Sequence, residues 1–140
     1  MPTELVVNAV HNGGMCFTAS AGDHAVTLDY PLPADHRCAG MTPLQLLLSS
    51  LAVCSGSTLQ LLLNRMKQPF DGLEVTARGT RREEHPTVLT AIALEFRLRG
   101  AGIDPEVVTK ALAVAENQLC PVWAMLKLGT EISASFTITE

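Results

Sequence analysis

Thr42-Pro43-Leu44-Gln45-Leu46-Leu47-Leu48-Ser49-Ser50-Leu51-Ala52-Val53-Cys54, carried on to Met66-Lys67, decides the fold. It reads as one long helix with Cys54 at its middle. Thr42 is a helix N-cap whose hydroxyl can accept a free backbone N–H. Pro43 falls at the first helical position, where its missing N–H costs nothing. Gln45 lies three residues past the cap, as in a capping box. From there on the leucines, Ala52, Val53 and Met66 leave no wide polar face. A helix apolar nearly all round is covered on all sides by protein or by lipid. Residues 44–63 carry no charge, so the length requirement of a membrane span is met. Gln45, Ser49, Ser50, Ser55, Ser57, Thr58 and Gln60 are too many polar groups to sink cheaply into hydrocarbon. The reading is therefore a soluble core completed by a second subunit, with no membrane partner.

The bulk numbers agree. The 140 residues suit a single domain spanning 1–140 with a sizeable core. Hydrophobic residues make up 47% and charged residues 17%, which excludes a disordered chain. So little charge on a small domain implies that some apolar surface meets another subunit. The net charge of -4 gives a nucleic-acid partner no electrostatic support. Met1-Pro2-Thr3-Glu4 lacks the basic residues and apolar run of a signal peptide, so a cytoplasmic location is expected.

Outward from the helix, both flanks read as strands. Glu4 to Val10 is a Val-rich strand. His11-Asn12-Gly13-Gly14 is a hairpin turn, and Met15 to Ser20 the return strand. Ala21-Gly22-Asp23 turns again into a half-buried strand over 24–30. Pro31 to Met41, with two prolines and Asp35-His36-Arg37-Cys38, is a loop. Past the helix, Leu73 to Arg82 alternates with one polar face. Thr87 to Arg99 alternates with Ile92, Leu94, Phe96 and Leu98 inward, and the two form a hairpin. Asp104-Pro105 opens a second helix by the same cap-plus-proline logic. Pro121 breaks it after Cys120, a short helix follows over 122–128, and Glu131 to Thr139 is a closing strand. The order βββ-α-ββ-αα-β segregates strands from helices. That predicts an α+β fold with antiparallel sheets.

Four cysteines remain to be explained: Cys16, Cys38, Cys54 and Cys120. None forms a Cys-x-x-Cys pair or stands beside a His at zinc-ligand spacing, so no metal site is expected. A cytoplasmic chain does not keep structural disulfides. These residues are then either small buried hydrophobes or reactive thiols. Cys120 is placed to be the N-cap of the short helix, where the helix start lowers a thiol pKa. Cys54 lies in an apolar helix interior, which raises it unless a cation stands near. Local physics alone makes Cys120 the more reactive of the two.

The run 41–54, the stretch Arg81-Arg82-Glu83-Glu84-His85-Pro86 followed by Thr90-Ala91-Ile92, and Cys120-Pro121-Val122 together resemble the OsmC/Ohr proteins. The resemblance covers residues from about 41 to the C-terminus and implies an intertwined homodimer with two long central helices at its heart. It also implies a thiol peroxidase acting on organic hydroperoxides, with no cofactor. In that reading Cys54 attacks the peroxide and becomes a sulfenic acid. Cys120 condenses with it to a disulfide, and an external dithiol resets the pair. Two departures stand out. The family's peroxidases carry a glutamate ten residues before the first cysteine, where this chain has Leu44. They also use an arginine from the N-terminal hairpin region, whereas the first arginine here is Arg37, in the loop. Arg37 or His36 is the candidate for the missing positive charge beside the thiolate. Two alternatives follow. One is a non-catalytic dimer that binds a small apolar molecule, in a pocket made greasier by Leu44 and lined by Trp123. The other is a redox sensor using the same disulfide.

Overall fold

A computed structural model describes residues 3–140. The elements run β1 (Asn8–His11), β2 (Phe17–Ala21), β3 (His24–Leu28), α1 (Pro43–Arg65), β4 (Gly72–Arg81), β5 (Leu89–Arg99), α2 (Pro105–Val114), a π-helical turn (Ala115–Leu119), α3 (Pro121–Leu126) and β6 (Glu131–Thr139). The predicted order is met, and the fold is α+β. The chain forms two compact units that divide inside α1, after Leu47.

The N-terminal unit is the predicted meander, β1-β2-β3, antiparallel throughout. Its strands are shorter than their sequence pattern. The first was expected from Glu4 but begins at Asn8. Asn8 pairs with Ser20, and β2 ends one residue later at Ala21, so residues before Val7 face no residue of β2. The return strand was expected from Met15 but begins at Phe17. Before it, the Asn12 N–H is taken by the Cys16 carbonyl and the Cys16 N–H by the Gly13 carbonyl, which closes a loop. Gly13 and Gly14 sit at positive φ in that loop, as glycine allows without steric cost. The third strand stops at Leu28 because the Asp29 N–H turns to the Met41 carbonyl, 3.0 Å away. That crossing runs tight. A Cβ at Gly40 would collide with the Thr27 backbone, which explains a glycine there.

α1 starts as its sequence demands. The Gln45 N–H donates to the Thr42 hydroxyl and the Thr42 N–H to the Gln45 side chain, a reciprocal capping box. It ends at Arg65, two residues short of the reading. Lys67 takes a left-handed conformation with φ of 58°. The Lys67 N–H bonds the Asn64 carbonyl and the Gln68 N–H the Leu63 carbonyl, the paired bonds of a Schellman ending. Leu51, Ser55, Leu59, Leu62 and Leu63 form one buried stripe. The expectation of cover on every side is not met within one chain: Val53 is 68% exposed and Leu61 46%. By length and composition α1 is also apolar enough to cross a membrane.

In the C-terminal unit, β5 lies between β4 and β6. β4 and β5 form the predicted antiparallel hairpin, but β6 runs parallel to β5. The two helices and the turn between β5 and β6 make a crossover, and a parallel pair requires one. Ile92, Leu94, Phe96 and Leu98 are all at most 2% exposed. Gly56 of α1 rests on Val75, the cross-strand partner of Phe96, so α1 covers this face of the sheet. The opposite face carries the ion pairs Arg78–Glu95 and Arg97–Glu74. Asp104 caps α2, accepting the Glu106 N–H at 2.9 Å. The second helix, expected to run unbroken to Cys120, widens into the π turn instead. There the Cys120 N–H reaches back five residues to the Ala115 carbonyl. Pro121 forbids a continuing helix and drives the preceding residue to extended backbone, and Cys120 has φ -80° and ψ 105°.

Candidate active site: two thiols from distant segments

Two elements of the C-terminal unit deliver the site. α1 carries Cys54 at its centre, and the break between the π turn and α3 carries Cys120. The Cys120 Sγ lies 3.1 Å from the Cys54 Sγ, although 66 residues separate them in the chain. Both thiols are free. A disulfide bond is about 2.05 Å long, so closing it needs a movement of about 1 Å. Cys54 is half-buried and Cys120 is 1% exposed.

Cys120 does cap α3, as its position suggested. The expected consequence is reversed. Burial pushes its pKa up, and the hydrogen bond to Cys54 pushes it further. The backbone N–H groups of Trp123 and Val122 at the helix start pull the other way and do not win. The thiol ends at about 11. A helix terminus acts through a few N–H dipoles, whereas desolvation sums over every neighbour. At neutral pH Cys120 is therefore a neutral S–H that donates to the Cys54 sulfur.

Of the other sequence-derived candidates, Trp123 lies in α3 beside Cys120, whereas His36, Arg37 and Leu44 belong to the N-terminal unit. His36 does not stand free: its Nε2 is 2.8 Å from Asp29 Oδ2 in the N-terminal unit. Asp29 is 1% exposed and also accepts the N–H groups of Ala39, at 3.0 Å, and Tyr30, at 2.8 Å. Arg37 is exposed and has no ion pair among the described residues. Leu44 is half-buried on the first turn of α1, and Trp123 is 1% exposed in α3. Sequence reasoning missed Asp29 as a buried anchor. Periodicity gave no signal for it, because Asp29 falls in phase with Ala25 and Thr27, opposite the apolar Val26, Leu28 and Tyr30.

The Ala39 N–H and the His36 ring hold the Asp29 carboxyl below the usual aspartate range, against burial, which acts to raise it. A depressed folded-state pKa stabilises above the unfolded value of about 3.9 and loses that contribution as pH falls below it. Unfolding midpoints followed from pH 7 downward should therefore drop more steeply below about pH 4 in the native protein than in Asp29→Asn. Parallel curves for the two proteins would refute this role.

Comparison with known proteins places the chain. Residues 34–135 match the family described as OsmC-like protein. Protein YhfA of Escherichia coli K12 is 25% identical over 119 residues, covering 85% of this chain and 86% of that protein. Among solved structures, an OsmC-like protein from Mycoplasma pneumoniae superposes with a TM-score of 0.86 at 21% identity, over 100% of both chains. An organic hydroperoxide resistance protein from Legionella pneumophila superposes with a TM-score of 0.73 at 17% identity, over 96% of this chain and 97% of that one. At such identities the structural likenesses establish the shared fold.

Proposed function

The chain belongs to the OsmC-like protein family, and from that membership we propose that it reduces organic hydroperoxides with the Cys54/Cys120 pair. The observation that carries the reading is the 3.1 Å approach of two free thiols. Cys54 is the nucleophile, because Cys120 is buried and held neutral. The Cys54 thiolate attacks the outer peroxide oxygen, the O–O bond breaks, and the alkoxide leaves as the alcohol after taking a proton. Cys54 becomes a sulfenic acid. The Cys120 sulfur then displaces its hydroxyl, which leaves as water with the Cys120 proton, and the disulfide forms. An external dithiol returns two electrons by thiol–disulfide exchange and restores both thiols. Each step uses only sulfur chemistry.

Leu44 removes the family's carboxylate from the first turn of α1, which favours apolar alkyl hydroperoxides over charged ones. The exposed Val53 and Leu61 on a helix otherwise packed against its sheet support a homodimer whose long helices meet. A cytoplasmic location fits the need for a dithiol reductant.

The test is a peptide map by mass spectrometry after one equivalent of cumene hydroperoxide is added to the fully reduced protein. A stoichiometric Cys54–Cys120 disulfide is expected. Both cysteines remaining reduced, or a bridge to Cys16 or Cys38 instead, would overturn the assignment.

A further inference from the structure

Cys54 and Cys120 stand 3.1 Å apart but differ in the surface they offer. Cys54 is half-buried, and Cys120 is 1% exposed. Association with another subunit only removes surface, so Cys120 stays covered in any assembly. Joining the two sulfurs needs a movement of about 1 Å, too small to carry Cys120 out of the core. Its backbone is tied on both sides. The Cys120 N–H donates to the Ala115 carbonyl at 2.9 Å, and the Cys120 carbonyl accepts the Ala124 N–H at 3.0 Å. Ala115 and Trp123, at 0% and 1% exposure, close the same segment. A Cys54–Cys120 disulfide therefore meets solvent through the Cys54 sulfur.

We propose that the reductant bonds to Cys54 and never to Cys120, so that peroxide and thiol use the same sulfur in turn. The inference rests on the disulfide of the reaction proposed above. The incoming thiol gives its proton to solvent, and its thiolate attacks the Cys54 Sγ. The Cys54–Cys120 bond breaks, its electron pair goes to the Cys120 sulfur, and Cys120 takes up a proton. A second thiol attacks the outer sulfur of the mixed disulfide and frees the Cys54 thiolate. Leaving-group chemistry favours the other course. Burial raises the Cys120 thiol to about 11, and a thiol of higher pKa leaves more slowly. Access decides against it, because a sulfur almost without surface is out of reach of a thiolate. The N–H groups of Trp123 and Val122, which hydrogen-bond the Cys120 sulfur, receive its charge as it leaves. Once protonated, Cys120 attacks the mixed disulfide only slowly, since the thiolate and not the thiol is the nucleophile.

The test uses the full-length protein carrying Cys16→Ser and Cys38→Ser. It is oxidised by diamide, which takes up both thiol hydrogens, so no peroxide chemistry enters. Glutathione, a monothiol, is added at pH 7, samples are quenched in acid, and the peptides are mapped by mass spectrometry. Glutathione is expected on Cys54 at least about tenfold more than on Cys120, at a rate proportional to its concentration. The reverse reaction reads the same contact where the mixed disulfide decays before mapping. Oxidised glutathione should label Cys54 in Cys120→Ser at least about tenfold faster than it labels Cys120 in Cys54→Ser. Label mainly on Cys120, or a rate that saturates with glutathione because the core must open first, overturns the proposal. So does failure of diamide to join the two sulfurs. Hydroperoxide turnover that fails while glutathione still lands on Cys54 overturns the peroxidase reading alone.

Discussion

Cys54→Ser is expected to reduce hydroperoxide consumption in the presence of dithiothreitol to the rate of buffer, a loss of about a thousandfold or more. The hydroxyl of serine is not ionised near neutral pH and has no sulfenic state, so neither the attack nor the oxidised intermediate is possible. In the proposed reaction the half-buried Cys54 takes the attack, since Cys120 is 1% exposed and pushed up to about 11. Cys120→Ser should behave differently. One equivalent of peroxide should be consumed quickly and Cys54 left as a sulfenic acid, trapped by dimedone. Cys16→Ser and Cys38→Ser should turn over as the native protein does. Turnover persisting in Cys54→Ser would remove the cysteine from the chemistry altogether.

Phe96→Ala should destabilise the protein by about 3–5 kcal/mol, a large share of the whole stability of a small domain. Phe96 is fully buried on β5, the middle strand, and its in-register neighbours are Val75 on one side and Phe136 on the other. Removing the ring leaves a cavity that neither flanking strand can collapse to fill, because both are pinned by their ladders. The adjacent Arg97 points to the opposite face, exposed and paired with Glu74. Arg97→Ala should therefore cost no more than about 1 kcal/mol. Urea unfolding of the two variants separates the faces of one strand. Equal losses would mean that the packing described for β5 is wrong.

The alternation that marks Phe96 as inward is visible in the residues alone, and so are the caps. Thr42-Pro43-Leu44-Gln45 and Asp104-Pro105 announced helix starts that the hydrogen bonds reproduce. Strand ends were less legible. Val6 and Val7 have strand-like side chains, but β2 ends at Ala21, opposite Val7, and the ladder begins only at Asn8 and Ser20. The π turn left no signature of its own beyond Pro121, whose effect on the preceding backbone was read as a simple break.

The sequence by itself determined the element order, the inward face of β5, both capped helix starts and the two cysteines worth watching. Each of these rests on chemistry within a few residues: a period, a cap, a proline. Tertiary structure alone decided that Cys54 and Cys120 lie 3.1 Å apart, that β6 joins β5 in parallel, and that His36 is tied to a buried Asp29. It also reversed the direction expected for the Cys120 thiol, which is pushed up and not down. The helix start beside Cys120 is a local feature and was read correctly, but its effect on ionisation is outweighed by burial, and burial is imposed by segments far away in the chain.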